Sequence, residues 1–241
     1  MRKFLLIACC ISLVVSSCNI INGNKTITGN GIIVSRSYDI ENFKDVDVSS
    51  SVTVVLTQGT DFDVKLEGDD NIVPVFQVKL VGEKLVIKPK DNYNLSFKKS
   101  VKAYVTAPEF RKLEASGASN FVSKSAINYD GKMELDLSGS SDADLELNAA
   151  KIDAEVSGAC KLSLRGVTKE FKVDGSGSSI VKCFDLQADI VNIDFSGAGA
   201  AEVSAAQKMK LDISGAANIK YKGNPAITQD VSGAASVSKV E

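Results

Sequence analysis

An acidic residue lies two positions before each of seven Ser-Gly pairs in the second half of the chain. If the serine of each pair is position 0, this acidic column occupies position −2. Its members are Glu114, Asp136, Glu155, Asp174, Asp194, Asp212 and Asp230. Carboxylates repeated at a fixed spacing suit two kinds of chemistry. They can supply oxygen ligands to Ca²⁺, and a pair of them can act as acid and base in glycoside hydrolysis.

The acidic column needs an offsetting interaction, because like charges about 5 Å apart repel by roughly 1 kcal/mol per pair even in water. Hydrogen bonds from the amides of the Ser-Gly turn would provide it, and the lysines at position −4 (Lys112, Lys172 and Lys210) would add screening. The alternative is a ladder of divalent cations. Ca²⁺ is the candidate ion, although the Gly-Gly-x-Gly-x-Asp calcium repeat is absent. We favour turn capping, and the identity of any metal stays open.

The serines form a second column that could supply nucleophiles. The pairs are Ser116-Gly117, Ser138-Gly139, Ser157-Gly158, Ser176-Gly177, Ser196-Gly197, Ser214-Gly215 and Ser232-Gly233. A Ser-His-Asp triad is excluded, since the chain contains no histidine. Every repeat offers the same carboxylates, and there is no tryptophan to stack against sugars. We therefore predict no catalytic residue and no enzyme, and we assign the Ser-Gly pairs a structural role.

The spacing of these serines predicts the fold. Successive serines are 18 to 22 residues apart along residues 111–241. A period of about 20 residues is typical of a solenoid in which each repeat is one stacked coil. Helix is disfavoured, because the repeated glycines would each cost about 1 kcal/mol there. We predict an all-β fold, a parallel β-helix of seven coils that is expected to be right-handed.

Alternation with period two identifies the inward side of each coil. Odd positions, such as Leu135 at −3 and Leu137 at −1, are apolar and should face the core. Position +1 is always glycine and position +3 is always small, so we expect both to lie in a constricted inner column. The last coil has Gln229 and Lys239 at inward positions, which suits a terminal cap.

Residues 31–110 are less regular. The run Val46–Val52 resembles a degenerate repeat, with Ser49 at position 0 and Ser50 in place of glycine. Strand-like runs follow, separated by turn signals rich in Gly, Asn and Pro. We predict an N-terminal β region that continues the solenoid as wider coils or as a capping sheet.

The N-terminus resembles a bacterial lipoprotein signal. Arg2 and Lys3 precede an apolar stretch that is too short to span a bilayer. Residues 1–18 are the predicted signal with its lipobox, and Cys18 is the predicted site of lipidation. The polar residues 19–30 are the predicted tether. This places the protein at the bacterial cell envelope, lipid-anchored on the periplasmic or surface face of the outer membrane.

Two cysteines, Cys160 and Cys183, belong to the predicted folded part. They occupy positions +3 and +7 of adjacent repeats. An offset of four strand residues is about 13 Å, which exceeds the reach of a disulfide. We therefore expect two buried free thiols.

The charge distribution excludes one class of partner. The net charge of −2 gives no basis for nucleic-acid binding. The basic cluster Lys88–Lys102 carries Tyr93 and Phe97. A solvated loop is the simpler interpretation of this cluster, and contact with lipid headgroups or a glycan is the alternative. The oligomeric state stays open.

Several sequence blocks resemble one protein family. They are the repeated Ser-Gly-[Ala/Ser] core, YVTAPEFRKLEASGASN (Tyr104–Asn120) and YDIENFKDVDVSSSVTVVLTQG (Tyr38–Gly59). They are similar to blocks of the putative auto-transporter adhesin, head GIN domain family, which is common in Bacteroidetes lipoproteins. The resemblance covers nearly all of the chain after the signal. It implies a β-helix-like fold in an envelope protein of uncharacterised function.

These features together predict a non-enzymatic envelope lipoprotein that presents a β-solenoid surface for adhesion or for binding a polymer or protein. The expected partners are the membrane, through the lipid anchor, and a glycan or a protein. No cofactor is expected apart from the candidate Ca²⁺. Two alternatives stay open, namely a polysaccharide-active β-helix enzyme and a structural component of the envelope.

Overall fold

The structure is a computed structural model that describes residues 25–241. The predicted signal, Cys18 and residues 19–24 of the predicted tether lie outside the described residues. The described part is built from β-strands and one short 3₁₀ turn, Val73–Val75. No helix in this part is long and apolar enough to cross a membrane.

The strands follow one another along the chain with short connections. They are β1 (Lys25–Thr28), β2 (Ile33–Tyr38), β3 (Asp45–Val48), β4 (Val52–Gln58), β5 (Asp63–Asp69), β6 (Phe76–Val81), β7 (Lys84–Pro89), β8 (Tyr93–Ser96), β9 (Val101–Ala107), β10 (Lys112–Ala115), β11 (Asn120–Ser123), β12 (Ile127–Gly139), β13 (Asp142–Gly158), β14 (Lys161–Gly177), β15 (Ile180–Gly197), β16 (Ala200–Gly215), β17 (Asn218–Lys222), β18 (Ala226–Gly233) and β19 (Ser236–Lys239).

The long strands β12 to β16 stack as parallel coils. Each pairs with the next so that the repeat serines stand in register from Ser138 to Ser232. Strands β10 and β11 complete the coil at one end, and β17 to β19 complete those at the other. The predicted parallel β-solenoid of about seven turns is confirmed.

The N-terminal strands extend the same rod in an order that differs from the chain order. Strand β3 pairs in parallel with both β7 and β10, and β4 pairs in parallel with both β9 and β11. The degenerate repeat thus lies beside the first regular coil, and β7 and β9 form the layer beyond it. Antiparallel pairs then close this end. Strand β6 pairs with β7, and β5 pairs with β2 on one side and with β9 on the other. We call β1, β2, β5, β6 and β8 the cap.

One apolar core runs through the rod from the cap to the last coils. The odd positions −3, −1 and +3 face this core as predicted. Leu135 and Leu137 are buried, and so are the small residues Ser119, Ser141 and Ser179 at +3. Small side chains fit there because the coil bends sharply next to them.

The two cysteines are free and buried, as predicted. Burial raises the pKa of Cys183 to about 12, and burial also raises the pKa of Cys160. Both thiols are therefore protonated at neutral pH, and the Cys160 thiol donates a hydrogen bond to the carbonyl oxygen of Ser157 at 3.2 Å. They act as small core residues.

The first described residues differ from the predicted tether. Strand β1 pairs in parallel with β8, and the backbone N–H of Gly31 donates to the carboxylate of Asp69 at 2.7 Å. Residues 25–31 are therefore part of the folded body. Hydrophobic patterning could not show this, because β1 is a short polar strand held by backbone hydrogen bonds.

The opposite end of the rod is formed by β18 and β19. Strand β18 is exposed along its whole length and pairs only with β16 among the described strands. The polar residues Gln229 and Lys239 at inward positions suit this terminal place, because no further described coil covers them.

Candidate functional site

The acidic column is a continuous surface feature of the rod. Its seven members are aligned by strand register from Glu114 to Asp230. They are partly or fully exposed, on the outward side of each coil. Shallow grooves of about 300 Å³ and 320 Å³ run between these carboxylates and the repeat serines.

An eighth carboxylate extends the acidic column. Asp47 pairs in register with Glu114. The sequence analysis missed it, although Asp47 stands at position −2 of the degenerate repeat when Ser49 is taken as position 0. Burial, followed by repulsion from Glu114, raises the pKa of Asp47 above its usual value.

Three members of the acidic column form ion pairs with lysines. Lys112 contacts Glu114 at 3.3 Å and Asp136 at 2.6 Å, and Lys84 also pairs with Glu114. Partial burial opposes ionisation of Glu114, yet the bonded ammonium groups of Lys84 and Lys112 hold its pKa below the usual value. The hydrogen bond to Asp136 raises the pKa of Lys112. Further along, Lys172 pairs with Asp174 at 2.8 Å.

The other members of the acidic column are less compensated. Within residues 25–241, Glu155, Asp194, Asp212 and Asp230 form no ion pair within 4.0 Å, and Lys210 does not reach the column. The lysine screening predicted from the sequence is therefore present at Lys112 and Lys172 only. No group of three or more Cys, Asp or Glu side chains in the described part could hold a metal ion. The Ca²⁺ ladder stays a prediction without structural support.

The turn amides do not bind these carboxylates, which corrects the predicted turn-capping role. The backbone N–H groups of Ser140, Ala159 and Ser178 donate instead to carbonyl oxygens of the preceding coil, at 2.8 Å in each case. Coil-to-coil bonding already satisfies the amides, so the carboxylates are left to lysines and solvent.

The glycines at position +1 are also placed differently from the prediction. They lie on the exposed turn, which we call the Ser-Gly corner, and not in the inner column. Their φ angles are between 76° and 119°, a region that favours glycine. A Cβ on any of them would lie 2.4–2.7 Å from a carbonyl oxygen of the preceding coil. Glycine is required because the backbones stack directly on one another here.

Two of the repeat serines donate hydrogen bonds within this stack. The hydroxyl of Ser138 donates to the carbonyl oxygen of Ala115 at 3.3 Å, and that of Ser232 donates to Ile213 at 3.4 Å. At position +3, the buried Ser179 hydroxyl donates to Ser176 at 2.9 Å. These contacts support a structural role for the serines.

A groove larger than those along the acidic column lies elsewhere, where each coil turns back toward the acidic side. We call this turn the second corner and its cavity, of about 690 Å³, the second-corner groove. Its lining residues are Asn128, Tyr129, Asp130, Asn148, Ala149, Ala150, Val167, Thr168, Lys169, Gln187, Ala188, Asp189 and Ala206. A smaller apolar pocket of about 250 Å³ continues it as far as Gly223. No candidate residue from the sequence lies in this groove.

Irregular coil length creates the second-corner groove. The strand register shifts between Tyr129 and Lys132 and again between Ala188 and Ile190. The Ser-Gly corner stays in register, so the variation from 18 to 22 residues per repeat is absorbed between successive Ser-Gly corners, partly at this turn and partly by shifts between Ser163 and Arg165 and between Cys183 and Gln187. Variable spacing around a fixed corner was the signal that could have located the groove.

A row of amides forms one wall of the second-corner groove. The Asn148 side chain donates to Asn128 at 2.9 Å and accepts from the backbone N–H of Val167 at 3.2 Å. Gln58 accepts from the backbone N–H of Asn128 at 2.8 Å. These amides are bound to each other, while the Val167 side chain is 51% exposed. The groove therefore combines a rigid polar wall with an accessible apolar surface.

Comparison with known proteins identifies the fold in solved structures. A putative adhesin from Bacteroides fragilis superimposes with a TM-score of 0.83 at 22% identity, covering 89% of this chain and all of that one. A putative adhesin from Parabacteroides distasonis gives 0.71 at 23% identity, with 90% and 100% coverage. A putative lipid binding protein from the same species gives 0.69 at 22% identity, with the same coverage. Among curated proteins, none matches the chain significantly.

The family assignment comes from the sequence itself. A family profile matches residues 42–225, which include the degenerate repeat, the first six Ser-Gly repeats and the whole second-corner groove. The matched region agrees with the blocks that first suggested a resemblance. The chain belongs to the family described as putative auto-transporter adhesin, head GIN domain.

Proposed function

We propose that this chain is a non-enzymatic, lipid-anchored envelope protein that binds an extended glycan along the second-corner groove. The observation that carries the proposal is the groove itself. It crosses five coils from Asn128 to Ala206, which is about 20 Å at the usual strand spacing. A linear chain, and not a compact small molecule, fits a groove of this shape.

The lining favours an uncharged polymer. Small residues such as Ala149 and Ala188 form an apolar floor, and Tyr129 and Gln187 supply a ring and an amide at its sides. Asp130, Lys169 and Asp189 also line the groove, so its charges are of both signs. A mixture of apolar surface with a few polar groups is typical of ligand sites. A strongly charged polymer would need one dominant sign.

The family context supports the adhesive part of the proposal. The family and two of the solved relatives are described as putative adhesins. A lipid anchor at Cys18 would hold the rod at the envelope, since each CH₂ group of an acyl chain that is buried in the bilayer contributes about 0.8 kcal/mol to membrane binding. Adhesion then means that an anchored rod holds a polymer of the cell surface or its surroundings.

A glycan array tests the proposal with the soluble chain 19–241, which retains every described strand and the whole core. We expect binding that falls at least about tenfold, or 1.4 kcal/mol, when Tyr129→Ala and Gln187→Ala are combined. The matched control is Asp194→Asn with Asp212→Asn on the acidic column, which should leave binding unchanged. No glycan binding, or binding that survives the groove variant, would contradict the proposal.

One observation favours the alternative of a polysaccharide-active enzyme. The pKa of Asp47 is raised while that of its neighbour Glu114 is lowered, and catalytic carboxylate pairs share this divergence. Burial and the bonded lysines account for it without catalysis. Hydrolysis of a polysaccharide panel that disappeared in Asp47→Asn or Asp174→Asn would establish the enzyme instead.

A further inference from the structure

The cap carries apolar residues that are exposed and do not belong to the core. Ile32, Ile33 and Val34 are 59%, 46% and 37% exposed. Ile33 and Val34 begin the edge strand β2, and Ile32 directly precedes it; β2 pairs only with β5 among the described strands. Single exposed apolar residues are ordinary, whereas adjacent exposed ones indicate an interaction site. We call Ile32–Val34 the cap patch.

Two lysines are held beside the cap patch by the buried carboxylate of Asp69. This carboxylate accepts hydrogen bonds from the backbone N–H of Gly31 at 2.7 Å and of Lys99 at 3.5 Å. The side chain of Lys98 lies next to Gly31. The side chains of Lys98 and Lys99 are exposed. The cationic side chain of Lys98 thus lies beside the residue that directly precedes the cap patch.

The chain length before the cap limits how far this surface can lie from a lipid anchor. Six residues, or seven Cα–Cα steps, separate Cys18 from Lys25, the first residue of β1. Even fully extended they reach no more than about 25 Å. This step rests on the lipid anchor of the proposed function. An anchored chain must therefore keep the cap close to the bilayer.

We infer that the cap is a bilayer-contacting surface, in which Ile32–Val34 enter the headgroup region and Lys98 and Lys99 pair with anionic phosphates. Branched apolar residues flanked by lysines match the interface, because it accepts apolar groups and attracts cations. The rod then extends away from the membrane, and the second-corner groove on β12 to β16 is carried above it. The cap patch thereby orients the glycan-binding groove.

A single tryptophan reports on this contact, since the natural chain has none. We introduce Ile33→Trp into the soluble chain 19–241 and add vesicles of 30% phosphatidylglycerol in phosphatidylcholine. The expected result is a blue shift of the emission. The matched control is Ile227→Trp, at a site that is 39% exposed at the opposite end of the rod, and it should not shift. No shift for Ile33→Trp, or equal shifts for both, would overturn the inference.

Vesicle co-sedimentation then measures the two contributions. Lys98→Glu with Lys99→Glu should weaken binding to the same vesicles at least about tenfold, since each basic residue near an anionic surface contributes roughly 1 kcal/mol. Ile32→Ser with Ile33→Ser should also weaken it, whereas Ile227→Ser with Lys220→Glu should not. Unchanged binding in both cap variants would refute the inference.

These results are separable from those on the proposed function. The chain used carries no acyl group, so its vesicle binding does not depend on lipidation at Cys18. Glycan binding by the cap variants should equal that of the natural chain. A failure of the cap experiments with intact glycan binding overturns only the bilayer contact, and the reverse result overturns only the groove.

Discussion

The two corners of each coil differ in how the stacked coils fit together. At the Ser-Gly corner, glycines with positive φ stack backbone on backbone, with no room for a Cβ. At the second corner, coils of different length meet, the register shifts, and a groove of about 690 Å³ opens. One corner fixes the stacking of the coils, which leaves the other free to vary in sequence and shape.

This difference shows why the most repetitive residues are poor functional candidates here. A column that is identical in every coil, such as Ser-Gly, is explained by the stacking of strands. The second corner places different side chains, such as Tyr129, Lys169 and Gln187, next to one another. Specific recognition needs such differences, because a uniform surface offers every ligand the same contacts.

The largest expected effect comes from one-residue insertions. An alanine inserted between Ser176 and Gly177 should destabilise the protein by more than about 3 kcal/mol, because a shift of one residue reverses the inward and outward sides of the strand. The same insertion between Asp189 and Ile190, where the register already shifts, should cost less than about 1 kcal/mol. Urea denaturation measures both. Equal losses would show that the corners are not different in tolerance.

A single substitution tests the glycine stack directly. Gly158→Ala should cost about 3–4 kcal/mol, because an alanine with φ near 95° is strained by roughly 1–2 kcal/mol and its Cβ would lie 2.5 Å from the Gly139 carbonyl oxygen. The matched control is Gly82→Ala, which has φ 64° and no atom within 4 Å. The free energy of unfolding of Gly82→Ala should fall only by the backbone strain of roughly 1–2 kcal/mol. The interpretation fails if the two variants unfold at the same urea concentration.

At the second corner, the amide row should contribute less. Asn148→Ala removes two hydrogen bonds, to Asn128 and Val167, and should lower the free energy of unfolding by about 1–2 kcal/mol. Asn218→Ala at an exposed position is the control and should change little. A loss as large as that of Gly158→Ala would mean that the second corner is as constrained as the first.

The ion pairs of Lys112, at position −4 of the first repeat, should make the free energy of unfolding depend on pH. Glu114 has a lowered pKa in the folded state, so its ion pairs stabilise above its ordinary pKa of 4.5 and are lost as the pH falls through the lowered value. Lys112→Gln should therefore cost about 1 kcal/mol at pH 7, given its partial exposure, and progressively less as the pH falls through the lowered pKa of Glu114. Thermal unfolding from pH 3 to 7 measures this. A loss that stayed constant with pH would exclude the ion pairs as its cause.

The smallest effect should be a gain in stability. Ser50 takes the place of glycine in the degenerate repeat and has φ 91°. Ser50→Gly should stabilise the protein by about 0.5–1 kcal/mol, because relief of the strained backbone exceeds the added freedom of the unfolded chain. Ser49→Gly at position 0 is the control and should not stabilise. A loss of stability in Ser50→Gly would show that the serine side chain contributes more than its strain costs.

Much of the regular rod was predictable from the sequence, because the signals are local. The period of the Ser-Gly pairs indicates stacked coils, and alternation places Leu135 and Leu137 in the core. The free thiols Cys160 and Cys183 follow from the same register. The inward placement of the +1 glycines was wrong, because parity along a strand does not hold through a turn with positive φ.

The cap and the residues that line the groove were not predictable, because they depend on contacts between distant parts of the chain. Nothing local shows that β7 and β9 lie beyond β3 and β4, or that β1 pairs with β8. The cap patch is apparent only once β2 is seen to be an edge strand. The second-corner groove likewise requires the stacked coils to be present before its lining residues become neighbours.

The sequence by itself determined the repeating unit, its inward side and the family, because a strand pattern repeated seven times leaves few ways to bury its apolar side. It also determined that serine and carboxylate would recur in columns. Only the tertiary structure decided that Glu114, Asp136 and Asp174 pair with lysines and that the carboxylates do not bind the turn amides, since these amides already bind the preceding coil. It alone also decided where the surface is irregular enough to recognise a partner, because that depends on how coils of unequal length stack.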